Sequence, residues 1–396
     1  MRILIVNDLL IHGGAEMQGL REKNILEENG HEVFMLTFDN NFPRKSLIYN
    51  EERGFYNIPI NNSGVTKLIN KFLFNKKLFL DIRNFINKVQ PEIIHINNLY
   101  LAPITQYKSM NKYKAFQTIR DYSAVCPLDT CINIDGEVCL GSKYNNCYIN
   151  CGKNIRNISK IFRGNIYNKV RIKYISEYVS PSEKLTKYCK EHGYKINCIN
   201  NPFDFKKFEK FSKEIDYINK KYLYYGNINK DKGILEFIDA FIEFSKDKND
   251  VELVIAGRVN EDIKEKFESL CNKAKIKYIG YKKYEDMIEI LKQVYAIVVP
   301  SVWMENYPNT VLEGMATKTL VLGSNRGGIP NMLENNRGIV FDIMNKKSVV
   351  DKLNYSYYLD GNRYKEIVNT AYSYTINNNN TSKYYLRIIN KINSIK

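Results

Sequence analysis

Short apolar runs alternate with longer helical patterns along the sequence, and this alternation restricts the chain to parallel sheets covered by helices. In the first half the apolar runs predict strands at 3–6, 32–37, 93–96, 115–119 and 175–179. In the second half they predict strands at 222–225, 252–255, 277–279, 296–299, 320–322 and 338–340. We therefore predict an α/β protein in which each half is one doubly wound domain.

The turn-rich segment 200–205 separates the two patterns. We predict an N-terminal domain of residues 1–200, a C-terminal domain of residues 201–375, and a last helical segment, 376–396, that returns to the N-terminal domain. A chain of 396 residues is long enough for two domains, each with its own core. The asparagine tract 377–380 predicts a loop.

Composition narrows the class of protein. With 44% hydrophobic residues the chain is globular, and it lacks the apolar run of about 18 residues that a membrane span requires. It opens on a predicted strand rather than on a signal peptide, so we expect a cytoplasmic protein with reduced cysteines. The net charge of +16 predicts attraction to phosphate-rich surfaces, either nucleic acid or an anionic membrane.

Two acids lie in the segment 301–316, which follows the apolar run 296–300. Glu305 and Glu313 are eight positions apart, slightly over two helical turns, so both carboxylates can share one face near a helix start. The backbone N–H groups from Asn309 through Thr310 and Val311 to Leu312 would then be free to bind a phosphate. This arrangement suits the sugar and the ribose of a nucleotide sugar. The alternative is a solvated surface helix that carries two acids.

Three glycine-containing loops follow predicted strands. Gly13 and Gly14 follow the first strand, and two glycines there let the backbone approach a phosphate or sugar, or form a plain turn. Gly226 follows the first strand of the second half, and Lys232 in the same loop is placed either to reach a diphosphate or to lie in a lysine-rich surface turn. The third loop spans 324–330. No loop has the dinucleotide-binding or Walker A spacing, so a nicotinamide cofactor is not indicated.

Together these motifs resemble the retaining GT-B glycosyltransferases of family 4. The matching motifs, in order along nearly the whole chain, are Gly13-Gly-Ala-Glu16, Gly226-x5-Lys232-Gly233, Ala256-Gly-Arg258, Glu305-x7-Glu313 and Gly327-Gly-Ile-Pro330. The resemblance implies two facing Rossmann-like domains with an interdomain cleft, an acceptor bound by the first and a nucleotide-sugar donor bound by the second. It also implies metal-independent transfer with no required cofactor, the leaving diphosphate being stabilised by Lys, Arg and helix N-termini.

The resemblance assigns roles to individual residues. Glu313 would hold the ribose hydroxyls, Glu305 would contact the hydroxyls of the donor sugar, and the amides after Tyr307 would meet the sugar or the distal phosphate. Gly14 and Lys232 would face the diphosphate. The expected donor-binding set is Gly13, Gly14, Gly226, Lys232, Arg258, Asn306, Tyr307, Asn309, Thr310, Val311 and Glu313.

The chain departs from the family pattern at two positions. Asn227 stands where the family usually has an arginine beside the lysine, which removes one fixed positive charge from the diphosphate. Arg258 or Arg326 would compensate, or the phosphates are held differently. Asn331 follows the Gly-Gly-Ile-Pro motif, where the family usually has glutamate.

On the acceptor side, Arg120 and Asp121 end a predicted strand. Many relatives carry histidine before the aspartate, so Arg120 excludes a histidine base there. We expect Arg120, Asp121 and Glu305 to be the catalytic residues: Asp121 would orient the acceptor or the donor sugar, and Arg120 would meet an anionic acceptor. The alternative for Asp121 is a helix cap. His95 also ends a strand, and it lies either toward the same site or in the core.

Five cysteines, at 126, 131, 139, 147 and 151, crowd into one loop-like segment. Four of them, Cys126, Cys139, Cys147 and Cys151, could bind one structural zinc ion, although their spacing is looser than that of a zinc ribbon. The alternative is that they are free thiols.

Two basic segments have helical periodicity. Residues 153–173 contain seven Lys or Arg and no acid, with Ile155, Ile158, Phe162, Ile166 and Val170 at helical spacing, which favours binding to an anionic membrane. Residues 67–88 mix phenylalanines with lysines, and there an ordinary helix packed on the sheet is the favoured interpretation.

The sequence thus predicts a retaining hexosyltransferase. The donor would be a UDP-sugar, or alternatively a GDP-sugar, and the acceptor a lipid-linked saccharide in surface polysaccharide biosynthesis. We expect the enzyme to be peripheral on the inner face of the cell membrane and not to bind nucleic acid. A GT-B sugar-nucleotide epimerase is one alternative. A nucleic-acid-binding protein is another, indicated by charge alone because no reading motif is present.

Overall fold

The computed structural model describes residues 1–10, 13–43, 48–61, 63–133, 137–139, 145–208, 220–273 and 275–395. The chain forms two compact units, Met1–Pro202 with Thr381–Lys396, and Phe203–Asn380. Each unit is an α/β layer structure built on a parallel sheet. Within the described ranges, no helix combines the length and the apolar character needed to cross a bilayer.

The first unit contains a seven-stranded parallel sheet in the order β3-β2-β1-β4-β5-β6-β7. Its strands are β1 Arg2–Asn7, β2 Glu32–Thr37, β3 Phe55–Asn57, β4 Ile93–Asn98, β5 Ala115–Thr118, β6 Glu177–Ser180 and β7 Ile196–Cys198. The strand order reverses between β1 and β4, and in such sheets ligands bind beyond the carboxyl ends of the strands near this point.

Helices cover the first sheet. They are α1 Gly14–Glu28, α2 Gly64–Phe72, α3 Lys76–Val89, α4 Pro103–Ser109, α5 Asn145–Cys151, α6 Ile155–Tyr174 and α7 Glu183–Glu191. Residues 67–88 are therefore divided between α2 and α3. In α3 the apolar residues Leu78, Ile82, Ile86 and Val89 are buried, as expected for an ordinary helix packed on the sheet.

The second unit contains a six-stranded parallel sheet in the order β10-β9-β8-β11-β12-β13. Its strands are β8 Lys220–Tyr225, β9 Val251–Ala256, β10 Ile276–Tyr278, β11 Ala296–Val299, β12 Leu320–Ser324 and β13 Ile339–Phe341. Its helices are α8 Ile234–Phe244, α9 Lys264–Cys271, α10 Tyr284–Leu291, α11 Asn309–Ala316, α12 Ile329–Leu333, α13 Lys346–Tyr357 and α14 Gly361–Asn379. The strand order reverses between β8 and β11, so a ligand is expected to bind near the loops that follow these strands.

The last helix, α15 (Thr381–Ser394), packs in the first unit. Tyr384, Ile388 and Ile392 are buried in one apolar cluster with β1. The Tyr384 hydroxyl donates to Glu22 of α1 at 2.5 Å, and Lys391 Nζ lies 2.6 Å from Glu177 of β6. Apolar burial and two buried polar contacts together hold this helix on the first sheet.

The prediction of a loop at 377–380 is wrong, because α14 continues to Asn379 and Asn380 is its C-cap. The physical reason is that Asn379 is fully buried and donates from Nδ2 to the Tyr307 hydroxyl at 3.0 Å. Its carbonyl also accepts from the amide of Phe203 at 2.7 Å. A buried asparagine can lie within a helix when neighbouring residues satisfy its hydrogen bonds, as Tyr307 and Phe203 do here.

Candidate functional site

The second unit has a cavity of about 330 Å³ at the carboxyl ends of β8 and β9, which we call the second-unit pocket. The start of α11 and the loop after β10 complete its wall. It is lined by Tyr225, Gly226, Asn227, Ala256, Gly257, Arg258, Tyr281, Lys282, Tyr284, Met287, Asn309, Thr310 and Glu313. Of the eleven residues predicted to bind the donor, the pocket brings together Gly226, Arg258, Asn309, Thr310 and Glu313.

Glu313 contributes a carboxylate to this pocket from within α11. The residue is 7% exposed, and its carboxylate accepts a hydrogen bond from the Tyr225 hydroxyl at the end of β8. Burial and the negative charge of Glu313 raise the pKa of Tyr225 well above its ordinary value, so the tyrosine remains the donor. The contact fixes the carboxylate while leaving it on the cavity wall, where a pair of vicinal hydroxyls can bind.

The N-terminus of α11 is less open than the sequence predicts. The amides of Val311 and Leu312 donate to the Pro308 carbonyl at 3.2 and 3.4 Å. The expectation that all amides from Asn309 to Leu312 are free is therefore wrong, because the Pro308 carbonyl already serves the first turn. Thr310 lies on the cavity wall, and its amide has no hydrogen-bond acceptor among the described residues.

Another part of the pocket wall combines an aromatic ring with two cations. The guanidinium of Arg258 lies 4.5 Å from the ring centroid of Tyr281, and Lys282 is adjacent. A planar ring with a stacked guanidinium suits the face of a nucleobase. Sequence reasoning missed Tyr281 and Tyr284; the signal that could have found them is the tyrosine-rich turn after β10, at the carboxyl end of a parallel strand.

A glycine pair forms the floor of this pocket. Gly257 has φ +153°, and a Cβ there would lie 1.8 Å from the Gly226 carbonyl oxygen. The ends of β8 and β9 can approach this closely only without a side chain at residue 257.

Glu305 and Lys232 form an ion pair close to β11 but do not line the cavity. The atoms Nζ of Lys232 and Oε1 of Glu305 are 2.5 Å apart, and the Ser301 hydroxyl donates to the same oxygen at 2.7 Å. Burial alone raises the pKa of Glu305, but the charge of Lys232, with hydrogen bonds from Lys232 and Ser301, brings it below its ordinary value. Lys232 also lies 4.8 Å from the ring centroid of Trp303. Glu305 is therefore a charged acceptor.

The third glycine loop holds the main chain of Glu305. The amide of Gly328 donates to the Glu305 carbonyl at 2.7 Å. Gly327 has φ +60°, and a Cβ there would meet the same carbonyl at 1.9 Å.

Arg326 in this loop is 5% exposed, and its Nε has no hydrogen-bond partner among the described residues. Of the two arginines considered as replacements for the charge missing at Asn227, Arg258 lines the cavity and Arg326 is the more buried.

Three predicted donor-binding side chains lie in the interior. Tyr307 is buried against the apolar core and bonded to Asn379, Val311 is fully buried, and Asn306 is buried too. Because these side chains are buried, a ligand would meet chiefly their main chain.

Gly13 and Gly14 begin α1 in the first unit, with Gly13 as the N-cap. The first turn also carries Glu16, which is buried and accepts from Asn98 at 3.2 Å. This carboxylate opposes the attraction of the helix N-terminus for a phosphate. The predicted diphosphate contact of these glycines remains a prediction.

The first unit has a cavity of about 280 Å³ at the carboxyl ends of β4 and β5, which we call the first-unit pocket. Helices α2 and α6 supply the rest of its wall. It is lined by Lys71, Asn98, Leu99, Tyr100, Gln117, Thr118, Ile119, Arg120, Asp121, Ser123, Pro127, Asp129, Arg163, Gly164, Tyr167 and Arg171.

Two carboxylates line the first-unit pocket. Asp121 accepts a hydrogen bond from the amide of Ser123 at 2.9 Å and so caps the short 3-10 helix Tyr122–Ala124. This is the helix-capping role that we gave as the alternative for Asp121. Desolvation in the pocket, and then the negative charge of Asp121, raise the pKa of Asp129 to about 7. Asp129 was not predicted, and its position in the loop after β5 gave no sequence signal.

Arg120 lines the same pocket, but its guanidinium is bonded to protein. Nε donates to Asn97 at 2.8 Å and an Nη donates to Asn201 at 2.6 Å. Burial lowers its pKa, and the charge of Glu22 counteracts part of this effect. His95 is fully buried between Glu22, at 2.5 Å, and Thr118, at 2.7 Å, so it is a core histidine.

The five clustered cysteines form no disulfide with one another in the part of the chain that the structure describes. The amide of Cys131 lies 3.4 Å from Cys126 Sγ, while Cys147 and Cys151 pack with Ile161 of α6. Within the described ranges, no group of three or more His, Cys, Asp or Glu side chains is arranged to hold a metal ion. Residues 134–136 and 140–144 of this segment lie outside those ranges.

Comparison with known proteins agrees with this architecture. Residues 205–374, which lie within the second unit, match the family model described as "Glycosyl transferases group 1". The chain is 24% identical over 351 residues to an "Uncharacterized 42.6 kDa protein in cps region" of Klebsiella pneumoniae, a match that covers 84% of this chain and 87% of the relative.

Solved structures show the same fold. Anabaena HepE in complex with UDP has a TM-score of 0.73 at 12% identity over 100% of both chains, and its complex with UDP-glucose has 0.71 at 13% over 99% of both. The lipopolysaccharide outer core galactosyltransferase WaaB has 0.67 at 15%, also over 99% of both chains. The fold is GT-B, two α/β domains with parallel sheets. The family match covers the second of these two domains.

Proposed function

We propose that this protein is a retaining hexosyltransferase of family 4 that transfers a sugar from a UDP-sugar to a saccharide acceptor. The second-unit pocket carries the proposal, because two pairs of residues line it: Tyr225 fixes the carboxylate of Glu313, and Arg258 stacks on Tyr281. A carboxylate for ribose hydroxyls and a flat cationic face for a base match the two parts of a nucleoside. The complexes of HepE with UDP and UDP-glucose favour uridine as that base over guanosine.

In this proposal the donor sugar binds Glu305, whose carboxylate is charged and held by Lys232 and Ser301. A charged acceptor strengthens hydrogen bonds from sugar hydroxyls. Lys232 and the amide of Thr310 bind the diphosphate, and Arg326 replaces the positive charge that Asn227 lacks.

The proposed chemistry breaks the bond between the sugar C1 and the diphosphate oxygen and forms a bond from C1 to the acceptor oxygen on the same face. The acceptor proton passes to the departing phosphate, so no side chain is needed as a strong base. The protein stabilises the charge that develops on the leaving diphosphate, without a metal ion.

We further propose that the acceptor is a lipid-linked saccharide of surface polysaccharide biosynthesis, bound in the first-unit pocket. The relative in a cps region and the similarity to a lipopolysaccharide galactosyltransferase support this pathway. The surface of the first unit supports the lipid, because α2, with the residue that follows it, and α6 both expose apolar side chains. This membrane patch consists of Val65, Ile69, Leu73, Ile155, Ile158 and Phe162.

The membrane patch is strongly exposed, and its α6 residues belong to a basic segment. Ile155 is 86% exposed and Phe162 is 55% exposed, and the Phe162 ring stacks on Phe72 of α2 at 6.4 Å between centroids. The segment 153–173 supplies seven Lys or Arg and no acid. Exposed apolar side chains in a basic segment suit an anionic bilayer, and this supports our proposal that the enzyme binds the inner face of the cell membrane.

Vesicle sedimentation tests the membrane patch. Wild-type protein is expected to bind vesicles that contain phosphatidylglycerol and not pure phosphatidylcholine vesicles. The double variant Ile155→Ser, Phe162→Ser should lose this binding, whereas Tyr355→Ser, Tyr358→Ser, at two exposed positions of the second unit, should keep it. Equal binding by both variants would contradict the patch.

Product analysis tests the transfer itself. Purified enzyme is incubated with UDP-glucose, UDP-galactose or GDP-mannose, with and without a prenyl-diphosphate-linked sugar, and the products are read by NMR. We expect a glycoside with the donor's anomeric configuration, formed only with acceptor. A changed sugar nucleotide in the absence of acceptor would instead identify the epimerase, and inversion at C1 would refute retention.

A further inference from the structure

We infer that the first-unit pocket contains an anion subsite, formed by Lys71 and Arg163, that binds the phosphate of a phosphorylated acceptor. The inference rests on the proposed transferase function and specifies its acceptor: the sugar accepted by this enzyme carries a phosphate group next to it. Four basic side chains line the pocket, and these two differ from the others in their contacts.

The other two cations are occupied. Arg120 donates to Asn97 and Asn201, and Arg171 donates to Asn168 at 3.1 Å and lies 3.5 Å from the Tyr107 hydroxyl. Their guanidinium groups hold the walls of the pocket together. They are therefore poor candidates for a ligand.

Lys71 and Arg163 have no hydrogen-bond or ion-pair partner in the described part of the chain. They come from different helices, α2 and α6, and both line the same cavity. Burial, and then the positive charges of Arg163 and Lys67, lower the pKa of Lys71. The charge of Asp8 counteracts part of this effect on Lys71, and Arg163 in turn lowers the pKa of Asp129. An anion bound between Lys71 and Arg163 would relieve the repulsion that remains between these two cations.

The packing of α6 fixes this geometry. Gly164, next to Arg163, lies so close to the loop after β5 that a Cβ on it would be 2.7 Å from the Pro127 Cβ. On the following turn, the Tyr167 hydroxyl is buried on the pocket wall without a hydrogen-bond partner among the described residues. A phosphate oxygen would satisfy this hydroxyl, because a buried donor without an acceptor is unfavourable.

The location favours a phosphate over a carboxylate on the sugar. Lys71 precedes Phe72 and Arg163 follows Phe162, and these two aromatic rings contact each other at the membrane patch. The unpaired cations thus lie where the patch meets the pocket. An acceptor with its lipid tail on the patch would place its phosphate there, and its sugar hydroxyls would reach Asp121 and Asp129.

Isothermal titration of the full-length protein with glucose 1-phosphate, glucuronate and glucose tests the subsite. The double variant Lys71→Gln, Arg163→Gln is compared with Lys76→Gln, Lys77→Gln, which removes the same charge from exposed positions of α3 outside the pocket. We expect the first variant to bind glucose 1-phosphate at least about 10-fold more weakly and the second to match the wild type. Circular dichroism checks that both variants are folded.

Each alternative outcome is decisive. Equal weakening in both double variants would mean that net charge alone attracts the probe, and stronger binding of glucuronate than of glucose 1-phosphate would assign the subsite to an acidic sugar; either result overturns the inference. UDP titrations run in parallel as a measure of the donor site. The glucose 1-phosphate titrations are repeated in the Lys232→Gln background, in which the probe is expected not to bind at the donor site. If the wild type binds UDP but not glucose 1-phosphate, the subsite alone is refuted. If the wild type does not bind UDP, the proposed function is refuted.

Discussion

The ammonium of Lys232 lies 2.5 Å from the Glu305 carboxylate, so two residues that the sequence assigns to different parts of the donor contact each other directly. Glu305 is the more buried partner, with 12% of its side chain exposed against 27% for Lys232. A phosphate that binds Lys232 would therefore share its ammonium group with Glu305. Binding of the diphosphate would in this way affect the carboxylate that we propose binds the sugar.

This ion pair predicts unequal effects of its two single substitutions. Lys232→Gln should destabilise the protein by about 1–3 kcal/mol, because it leaves a buried carboxylate without a counter-charge. Glu305→Gln should have a smaller effect, since Lys232 can turn toward solvent, and the double variant should recover much of the loss. Urea unfolding of the three variants measures this cycle, and additive effects would show that the two residues do not interact.

The same pair predicts a pH dependence of stability. Because the pKa of Glu305 lies below its ordinary value of 4.5 in the folded protein, the stabilisation is present above that pH and is lost as the pH falls through the lower folded value. The difference in the free energy of unfolding between wild type and Glu305→Gln should shrink progressively below about pH 4.5. A difference that stays constant from pH 7 to pH 3.5 would contradict the lowered pKa.

The Tyr384 hydroxyl predicts how firmly α15 is held. Tyr384→Phe removes the donor to the buried Glu22, whose pKa is lowered by His95 and Tyr384 against the effect of burial. We expect a loss of about 1–3 kcal/mol in thermal or urea unfolding. The matched control Tyr385→Phe removes a half-buried contact to His31 at 3.1 Å and should cost about 1 kcal/mol or less. Equal losses would contradict the account of this helix.

Gly257 predicts a steric requirement at the donor pocket. Gly257→Ala places a Cβ 1.8 Å from the Gly226 carbonyl, so the ends of β8 and β9 must separate, and UDP affinity should fall at least about 10-fold. Gly280→Ala is the control, since its positive φ of +69° has nothing within 4 Å of the added Cβ. It should reduce stability but leave UDP affinity within about 2-fold of the wild type. Titration calorimetry distinguishes these cases.

The sequence predicted the sheets well because most strands are buried on both faces and appear as continuous apolar runs. The eleven predicted strands each overlap an observed one, and 32–37 and 296–299 coincide with β2 and β11. The two missed strands, β3 and β7, have three residues each and lie at the sheet edges, where alternation is too short to detect.

Side-chain contacts were harder to predict, because partners far apart in sequence decide them. Asn379 is helical because Tyr307 accepts its hydrogen bond, and Arg120 is engaged by Asn97 and Asn201. Periodicity singled out Ile155, Ile158 and Phe162 on α6, but it gave no indication that Arg163 and Tyr167 of the same helix line a cavity.

The proposed binding of a uridine nucleotide at the donor site is tested most directly by the midpoint of thermal unfolding, measured with UDP, GDP and ADP. We expect UDP to raise the midpoint of wild-type unfolding, because a ligand that binds only the folded state stabilises it. Glu313→Ala should lose this shift, whereas Tyr225→Phe, which keeps the carboxylate, should retain part of it. No shift with any nucleotide, or a UDP shift that is unchanged in Glu313→Ala, would contradict the account.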